Sequence, residues 1–330
     1  MMNMNLNRVS NIFSNIKGQK VAVVGDVMLD RYFWGNVSRV SPEAPVPVVD
    51  IESETFHLGG AANVAKNLCS LKITPILCGL LGNDEPAEIF INQCNKCGIL
   101  ADGLFVENER VTTVKTRVIG NNQQIVRLDR EVRCIISKEG ENFILNKVKS
   151  IEGLAGIIFE DYDKGTISDT LIKNITNFAN KNNIPVFVDP KFDNFNKYKN
   201  VTLFKPNKKE TMQGLGIQLN SYEDIKYAGN KLLEKLKAEY ILITLGSAGM
   251  VLFEKNGDIT KIPTVAKKIA DVSGAGDTAI ATFATMLISG ATCKEAAILA
   301  NFASGYVCEK PGIVAINQEQ LLKAASIMKI

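Results

Sequence analysis

The strongest constraint on how this chain can fold is an alternation of two kinds of segment. Short β-rich apolar runs at Val21–Val24, Pro75–Leu80, Leu154–Phe159, Val186–Val188, Val201–Phe204 and Tyr240–Thr244 are separated by segments with apolar residues at helical spacing. Those segments include Ala61–Leu71, Glu85–Lys96, Ile167–Asn180, Asp224–Leu236 and Thr292–Cys308. Strands that are apolar along their whole length suit a parallel sheet covered on both faces, with helices as the crossovers. The pattern predicts a layered α/β sandwich. Val37–Ile51, with Pro42, Pro45 and Pro47, and Val111–Leu128, with Val, Thr and Ile alternating with charges, break the alternation. Both suit strands of a small antiparallel flap better than buried parallel strands. The expected organisation is a single domain over 1–330 with lid segments at about 34–52 and 110–129. An exposed apolar flap face needs cover, so the lid is expected also to join a homodimer.

Composition narrows the function. The 38 basic and 35 acidic residues leave a net charge of +3 with no long charged block, so nucleic acid is not the expected partner. The polar stretch from Met1 to Asn15 lacks the apolar core of a secretory signal and reads as a frayed terminus. The longest apolar stretch, Ala279–Ile288, is interrupted by Thr282 and Thr285 and is too short for a membrane helix. A cytoplasmic location and no membrane partner are expected. Seven scattered cysteines argue for reduced thiols, and Cys94-x-x-Cys97 supplies one ligand pair where a structural zinc needs four ligands. His57 is the only histidine.

The stretch most suggestive of chemistry is Asp271-Val-Ser-Gly-Ala-Gly-Asp-Thr278, directly before the apolar helix Ala279–Ile288. Gly274, Ala275 and Gly276 let backbone N–H groups converge at a helix N-terminus, where unpaired donors and the helix dipole attract phosphate. Asp277 then stands where it can take the proton of an attacking hydroxyl. A plain helix-capping loop accounts for the glycines but not for Asp277. Gly59-Gly60 opens a second helix and permits close approach of a ligand, with Asn63 offering both a donor and an acceptor. Asn207 and Glu210 have the spacing of a helix N-cap and its capping-box partner.

These segments resemble the two signatures of the PfkB (ribokinase) family of carbohydrate kinases, Gly59-Gly-Ala-Ala-Asn-Val-Ala65 and Asp271–Thr278. The resemblance implies a ribokinase-like three-layer α/β sandwich with a mostly parallel central sheet and a small antiparallel β lid. It implies ATP and Mg²⁺ as cofactors and a sugar as substrate. It gives Asp277 the role of base, Gly274–Gly276 that of anion hole, and Gly59, Gly60 and Asn63 contacts to sugar hydroxyls. Lys205-Pro-Asn-Lys-Lys-Glu210 is similar to the family's Asn-x-x-Glu motif, which implies that Asn207, Lys208, Lys209 and Glu210 serve ATP and Mg²⁺. The metal would then be held through Glu210 and the ATP phosphates, without a site made of protein ligands alone. Thr244-Leu-Gly-Ser-Ala-Gly249 is similar to the nucleotide loop, implying roles for Thr244, Gly246 and Gly249, with Asn301 at the adenine.

A narrower resemblance runs through Gly25–Tyr32, Ser38–Val48, Asn122–Asp129, Asp161–Gly165 and Asp189–Lys191 to the heptose-7-phosphate kinases of lipopolysaccharide core biosynthesis. It implies transfer to the anomeric hydroxyl of D-glycero-β-D-manno-heptose 7-phosphate. Asp30 and Asp129 would then accept bonds from sugar hydroxyls, and Arg117, Arg127, Lys164 and Lys191 are the candidates for the substrate phosphate. Two departures stand out. Several relatives have Arg where this chain has Asn121, and many are fused to a nucleotidyltransferase domain with a His-x-Gly-His motif. This chain ends at Ile330 without that motif and is expected to perform the kinase step alone. Kinases for fructose 1-phosphate, tagatose 6-phosphate, ribose or nucleosides share the two signatures. A non-catalytic sugar or nucleotide sensor would be expected to lose the base or the glycines, and a Rossmann dehydrogenase would need a glycine fingerprint where the chain reads Gly25-Asp-Val-Met-Leu-Asp30.

Overall fold

In the first strand of the main sheet, Val21 and Val23 pack with Leu68, Phe90, Ile280 and Leu299, whereas Ala22 and Val24 pack with Ile144, Leu171, Ile175 and Leu232. Successive side chains of one strand thus enter two separate cores, as a sheet covered on both faces requires. The computed structural model describes residues 6–266, 270–310 and 312–327.

Nine strands make the main sheet: β1 (Lys20–Gly25), β4 (Thr74–Gly82), β5 (Leu100–Glu107), β8 (Leu154–Glu160), β9 (Val186–Asp189), β10 (Leu203–Phe204), β11 (Tyr240–Thr244), β12 (Met250–Glu254) and β13 (Ile259–Ile262). Their order is β13-β12-β11-β10-β9-β8-β1-β4-β5. The pairs from β5 to β11 are parallel, and β12 and β13 close one edge antiparallel. The six strands expected from sequence all form. β5, β12 and β13 carry charges or lie in short hairpins and have a weaker apolar signature.

One layer of helices comprises α1 (Leu6–Ser14), α2 (Ala61–Ser70), α3 (Glu85–Lys96), α8 (Ala275–Ile288), α9 (Cys293–Cys308) and α10 (Gln318–Ile327). The opposite layer comprises α4 (Lys138–Lys149), α5 (Asp169–Lys181), α6 (Lys208–Leu215) and α7 (Tyr222–Leu236). The expectation of a frayed N-terminus is corrected from residue 6 onward. Val9 and Ile12 of α1, and Ile16 just after it, are buried, and Arg8 bonds Glu295 and the Gly290 carbonyl. Met1 to Asn5 lie outside the described residues. No helix among the described residues is long and apolar enough to cross a membrane.

A separate four-stranded sheet is formed by β2 (Val27–Val40), β3 (Pro47–Gly60), β6 (Val114–Gly120) and β7 (Gln123–Arg130), in the order β3-β2-β6-β7. β2 pairs antiparallel with β3 and parallel with β6, while β6 and β7 form a hairpin. Its strands reach further toward the main sheet than the segments expected from sequence, because β2 begins two residues after β1 ends and β3 runs directly into α2. The β6–β7 turn is Asn121-Asn122, both with positive φ (50° and 63°), the geometry of a tight two-residue hairpin that Asn tolerates well.

Candidate active site

The parallel strands point their C-terminal ends at one edge, and the chain reverses direction across the sheet between β1 and β8. Such a crevice is where open α/β sheets bind ligands. Asp26 follows β1, Glu160 ends β8 and Asp161 follows it, Asp189 ends β9, Lys205 follows β10 and Thr244 ends β11. The first helical turn of α8 enters the same edge.

Asp277 lies in that first turn and is 5% exposed. Its Oδ2 accepts a hydrogen bond from Asn63 Nδ2 at 2.6 Å, and its Oδ1 accepts one from the Tyr162 hydroxyl at 3.1 Å. Burial first, with repulsion from Asp189, raises the Asp277 carboxyl above its ordinary value, and the Asn63 hydrogen bond works against this. The carboxylate is thereby both oriented and made more basic. Asn63 is fixed in turn from α2: Asn67 Nδ2 donates to the Asn63 carbonyl, and Asn67 Oδ1 accepts from Thr278 on α8. This buried polar ladder locks the helices of the two glycine signatures together.

Gly274 has φ 77° and caps α8, and a Cβ there would come within 2.7 Å of Asn63 Nδ2. Thr278 N–H bonds the Gly274 carbonyl and Ala275 N–H bonds that of Val272. The N–H groups of Gly276 and Asp277 make no hydrogen bond among the described residues, which leaves two donors at a helix N-terminus. A Cβ on Gly276 would point toward Asp189 Oδ2 and Lys205 Nζ, each at 3.5 Å, so the space over this turn faces a buried ion pair. That pair has Lys205 Nζ 2.7 Å from Asp189 Oδ2. Burial works against the Lys205 charge, yet Asp189 holds its pKa above the ordinary value.

Sequence reasoning missed several residues here. Asp26, 1% exposed, accepts the N–H groups of Tyr162 and Lys164 on Oδ2 and of Thr166 on Oδ1, so one carboxylate shapes the loop that presents Tyr162 to Asp277. Glu160, Asp189 and Asp277 bring carboxylate oxygens within 4.8 Å of one another, and Glu160 Oε2 is buried without a partner. Burial, then the charges of Asp189 and Asp277, push the Glu160 carboxyl well above its ordinary value. A cluster of hard oxygen donors around an unpaired buried carboxylate fits Mg²⁺. The expectation from sequence had no such protein-built cluster, because its members come from β8, β9 and α8.

Beside this cluster, Asn207 and Glu210 form the capping box of α6: Asn207 Oδ1 accepts Glu210 N–H and Glu210 Oε2 accepts Asn207 N–H, both at 2.8 Å. Glu210 Oε1 is bonded by Lys191. Lys191 therefore stands with Glu210 and the glycine turn, its ammonium 5.2 Å from the Tyr162 ring centre. Lys208 and Lys209 are exposed and line the same cleft of about 500 Å³ together with Asn207, Gly276 and Asp277. A neighbouring recess is lined by Thr244, Gly246, Gly249, Ala275 and Asn301. Asn301 Nδ2 bonds the Pro263 carbonyl, which holds the loop after β13 along that recess.

The lid supplies the opposite wall. Side chains two apart on a strand share a face, and the register places Asp30, His57, Lys115 and Asp129 in one cross-strand row and Tyr32, Arg117 and Arg127 in the next. This face turns toward the site, since a Cβ on Gly59 would lie 2.3 Å from Asp30 Oδ2, and Lys115 Nζ lies 5.6 Å from the Tyr162 ring. A Cβ on Gly60 would meet the Asp26 carbonyl at 2.3 Å. Asp30 is bonded by Arg117, Arg127 forms two bonds to Asp129, and Lys164 bonds Glu131. Asn121, at the hairpin tip, donates to and accepts from the Val37 backbone, a staple that occupies its whole side-chain amide. All seven cysteines are free.

Residues 18–320 match the family described as pfkB family carbohydrate kinase. Two curated proteins named bifunctional protein HldE are similar across most of the chain. The one from Helicobacter pylori strain J99 is 39% identical over 307 residues, covering 92% of this chain and 65% of its own length. That from Desulfatibacillum aliphaticivorans is 40% identical over 303 residues, covering 92% and 62%. The chain thus spans a little under two thirds of these relatives' length. Among solved structures, Escherichia coli phosphofructokinase-2 in complex with substrates and products superposes with TM-score 0.79 at 17% identity, covering 94% of this chain and 99% of the other. Arabidopsis thaliana ribokinase complexed with ribose and ATP superposes with TM-score 0.71 at 20% identity, covering 94% and 99%. These two comparisons establish the shared ribokinase-like fold. With the family match spanning nearly the whole chain, the protein belongs to the pfkB family of carbohydrate kinases and is a sugar kinase, a phosphotransferase.

Proposed function

We propose that this kinase transfers the γ-phosphoryl group of ATP to the anomeric C1 hydroxyl of D-glycero-β-D-manno-heptose 7-phosphate, giving the 1,7-bisphosphate that leads to ADP-heptose for lipopolysaccharide. The observation that carries the chemistry is Asp277, buried, oriented by Asn63 and Tyr162, and set beside two N–H groups at the start of α8 that make no hydrogen bond among the described residues. The choice of heptose rests on the likeness to the HldE relatives.

In this reading the sugar lies between the lid and the glycine signatures, with Asp30, Gly59, Gly60 and Asn63 against its hydroxyls. Asp277 takes the C1 hydroxyl proton as the oxygen attacks. The N–H groups of Gly276 and Asp277 hold the charge that develops on the transferring group, and the nearby Lys205 adds a fixed positive charge. The triphosphate tail runs past Lys208 and Lys209 into the recess between Thr244–Gly249 and Asn301. Glu210, Asp189 and Glu160 are the residues that would hold Mg²⁺, directly or through water, and the ion supplies neutralisation of the phosphate oxygens. The lid closes over the sugar, and its apolar outer residues pair with a second copy in a homodimer acting in the cytoplasm.

The test is ATP consumption against a panel of phosphorylated and unphosphorylated sugars. The reading requires heptose 7-phosphate to give the highest kcat/KM, and higher kcat/KM for fructose 1-phosphate, tagatose 6-phosphate or ribose would replace it.

A further inference from the structure

Apart from Lys205 and the exposed Lys208 and Lys209 beside the glycine turn, five cations stand on the lid and the loops around the cleft, and four of them are already matched to carboxylates. Arg117 is bonded to Asp30, Arg127 to Asp129, Lys164 to Glu131 and Lys191 to Glu210. The fifth, Lys115, is half-buried near the start of β6 and makes no hydrogen bond or ion pair among the described residues. Its register neighbours on both sides are acidic, Asp30 on β2 and Asp129 on β7, but each is taken by an arginine. Its ammonium instead lies 5.6 Å from the ring centre of Tyr162, the residue whose hydroxyl bonds the base Asp277.

An ammonium removed from water without a partner is costly, and the structure shows that cost. Burial lowers the Lys115 pKa, Asp30 opposes this, and the like charge of Lys164 adds to it. A site that keeps such a group aimed at its own cleft gains when an anion arrives. Near Asp277 the carboxylates of Glu160 and Asp189 stand with Lys205 and Lys191, whose charges are already matched to Asp189 and Glu210. A phosphorylated sugar brings a dianion to this cleft, and Lys115 is the half-buried cation on the lid that has no ion-pair partner among the described residues.

We infer that Lys115 is the residue that reads the phosphate already carried by the sugar, and so sets the preference of this kinase for phosphosugars over neutral ones. The inference rests on the reading that the substrate is a phosphosugar. It also separates Lys115 from Arg117 and Arg127, whose first function is to hold Asp30 and Asp129 in place on the lid.

The test uses the full chain as wild type, Lys115→Met and Lys115→Arg, with heptose 7-phosphate, unphosphorylated heptose and ATP as the varied substrates. Lys115→Met is expected to raise KM for heptose 7-phosphate by about 10–100-fold, the loss of one charge-assisted contact. KM for ATP and kcat/KM for the neutral sugar should stay within about two-fold, and Lys115→Arg should recover most of the loss. A separate binding readout, the rise in Tm on adding heptose 7-phosphate, should vanish in Lys115→Met and return in Lys115→Arg. An unchanged ratio of phosphosugar to neutral-sugar kcat/KM overturns the inference while leaving the substrate assignment standing. So does an equal fall for both sugars, which would give Lys115 to the transferring phosphoryl group. If wild type prefers a different phosphosugar and Lys115→Met loses it, the heptose assignment fails and Lys115 stands. A wild-type enzyme indifferent to the sugar phosphate overturns both.

Discussion

At the scale of single residues, the site is organised by groups whose burial would be unfavourable unless paired. Asp277 is hydrogen-bonded by Asn63 and Tyr162, Asp189 is ion-paired with Lys205, and Asp26 accepts three backbone N–H groups. Asp277→Asn retains the shape of the loop and loses the base, so kcat should fall by roughly 10²–10⁴-fold while KM for ATP changes little. Steady-state kinetics of the purified variant decide this, and near-wild-type turnover would remove Asp277 from its role. The pH profile gives an independent check. The Asp277 pKa is raised from 3.8 by burial, and only the ionised form accepts a proton. The acid limb of kcat/KM should therefore fall at a pH above that of an unperturbed aspartate, and activity that persists undiminished to pH 4 would contradict the raised basicity.

At the scale of elements, two helix starts and one strand register position the chemistry. The turn before α8 was legible from its glycines because Gly274 needs a positive φ and Gly276 needs space over the first turn. Gly276→Val should fill the space toward Asp189 and Lys205 and lower kcat by about 10²-fold or more, with Tm changed only slightly. A large drop in Tm with kcat intact would make the turn a helix cap and nothing further. The sequence also reveals the parallel strands, because burial on both faces leaves them apolar throughout. It conceals α1, whose buried Val9 and Ile12 are scattered among asparagines. It conceals the roles of Asp26 and Tyr162 for another reason: both lie in segments that carry the resemblance, but they act through a contact between positions 136 residues apart, which no local pattern shows. Asn207 and Glu210 show how one spacing serves two ends, since the capping box is formed and its carboxylate still faces the cleft.

At the scale of the whole molecule, the proposed function makes the small four-stranded sheet a lid over the site. β7 is exposed along its whole length, and Trp34, Ile51, Val126 and Leu128 leave apolar surface on the small sheet. Such a surface suits pairing with a second copy. Sedimentation at micromolar concentration should report a dimer of 36.1 kDa chains, and Leu128→Asp should shift it toward monomer. A wild-type monomer with full turnover would remove the lid from any assembly role.

The most direct test of the account is the position of the new phosphate. Heptose 7-phosphate, ATP and Mg²⁺ incubated with the protein should yield, by ³¹P and ¹H NMR, one product with phosphates on C1 and C7, and Asp277→Asn should form it at a rate lower by about 10²-fold or more. A product phosphorylated at any carbon other than C1, or no product from heptose 7-phosphate while a neutral sugar is consumed, would contradict it.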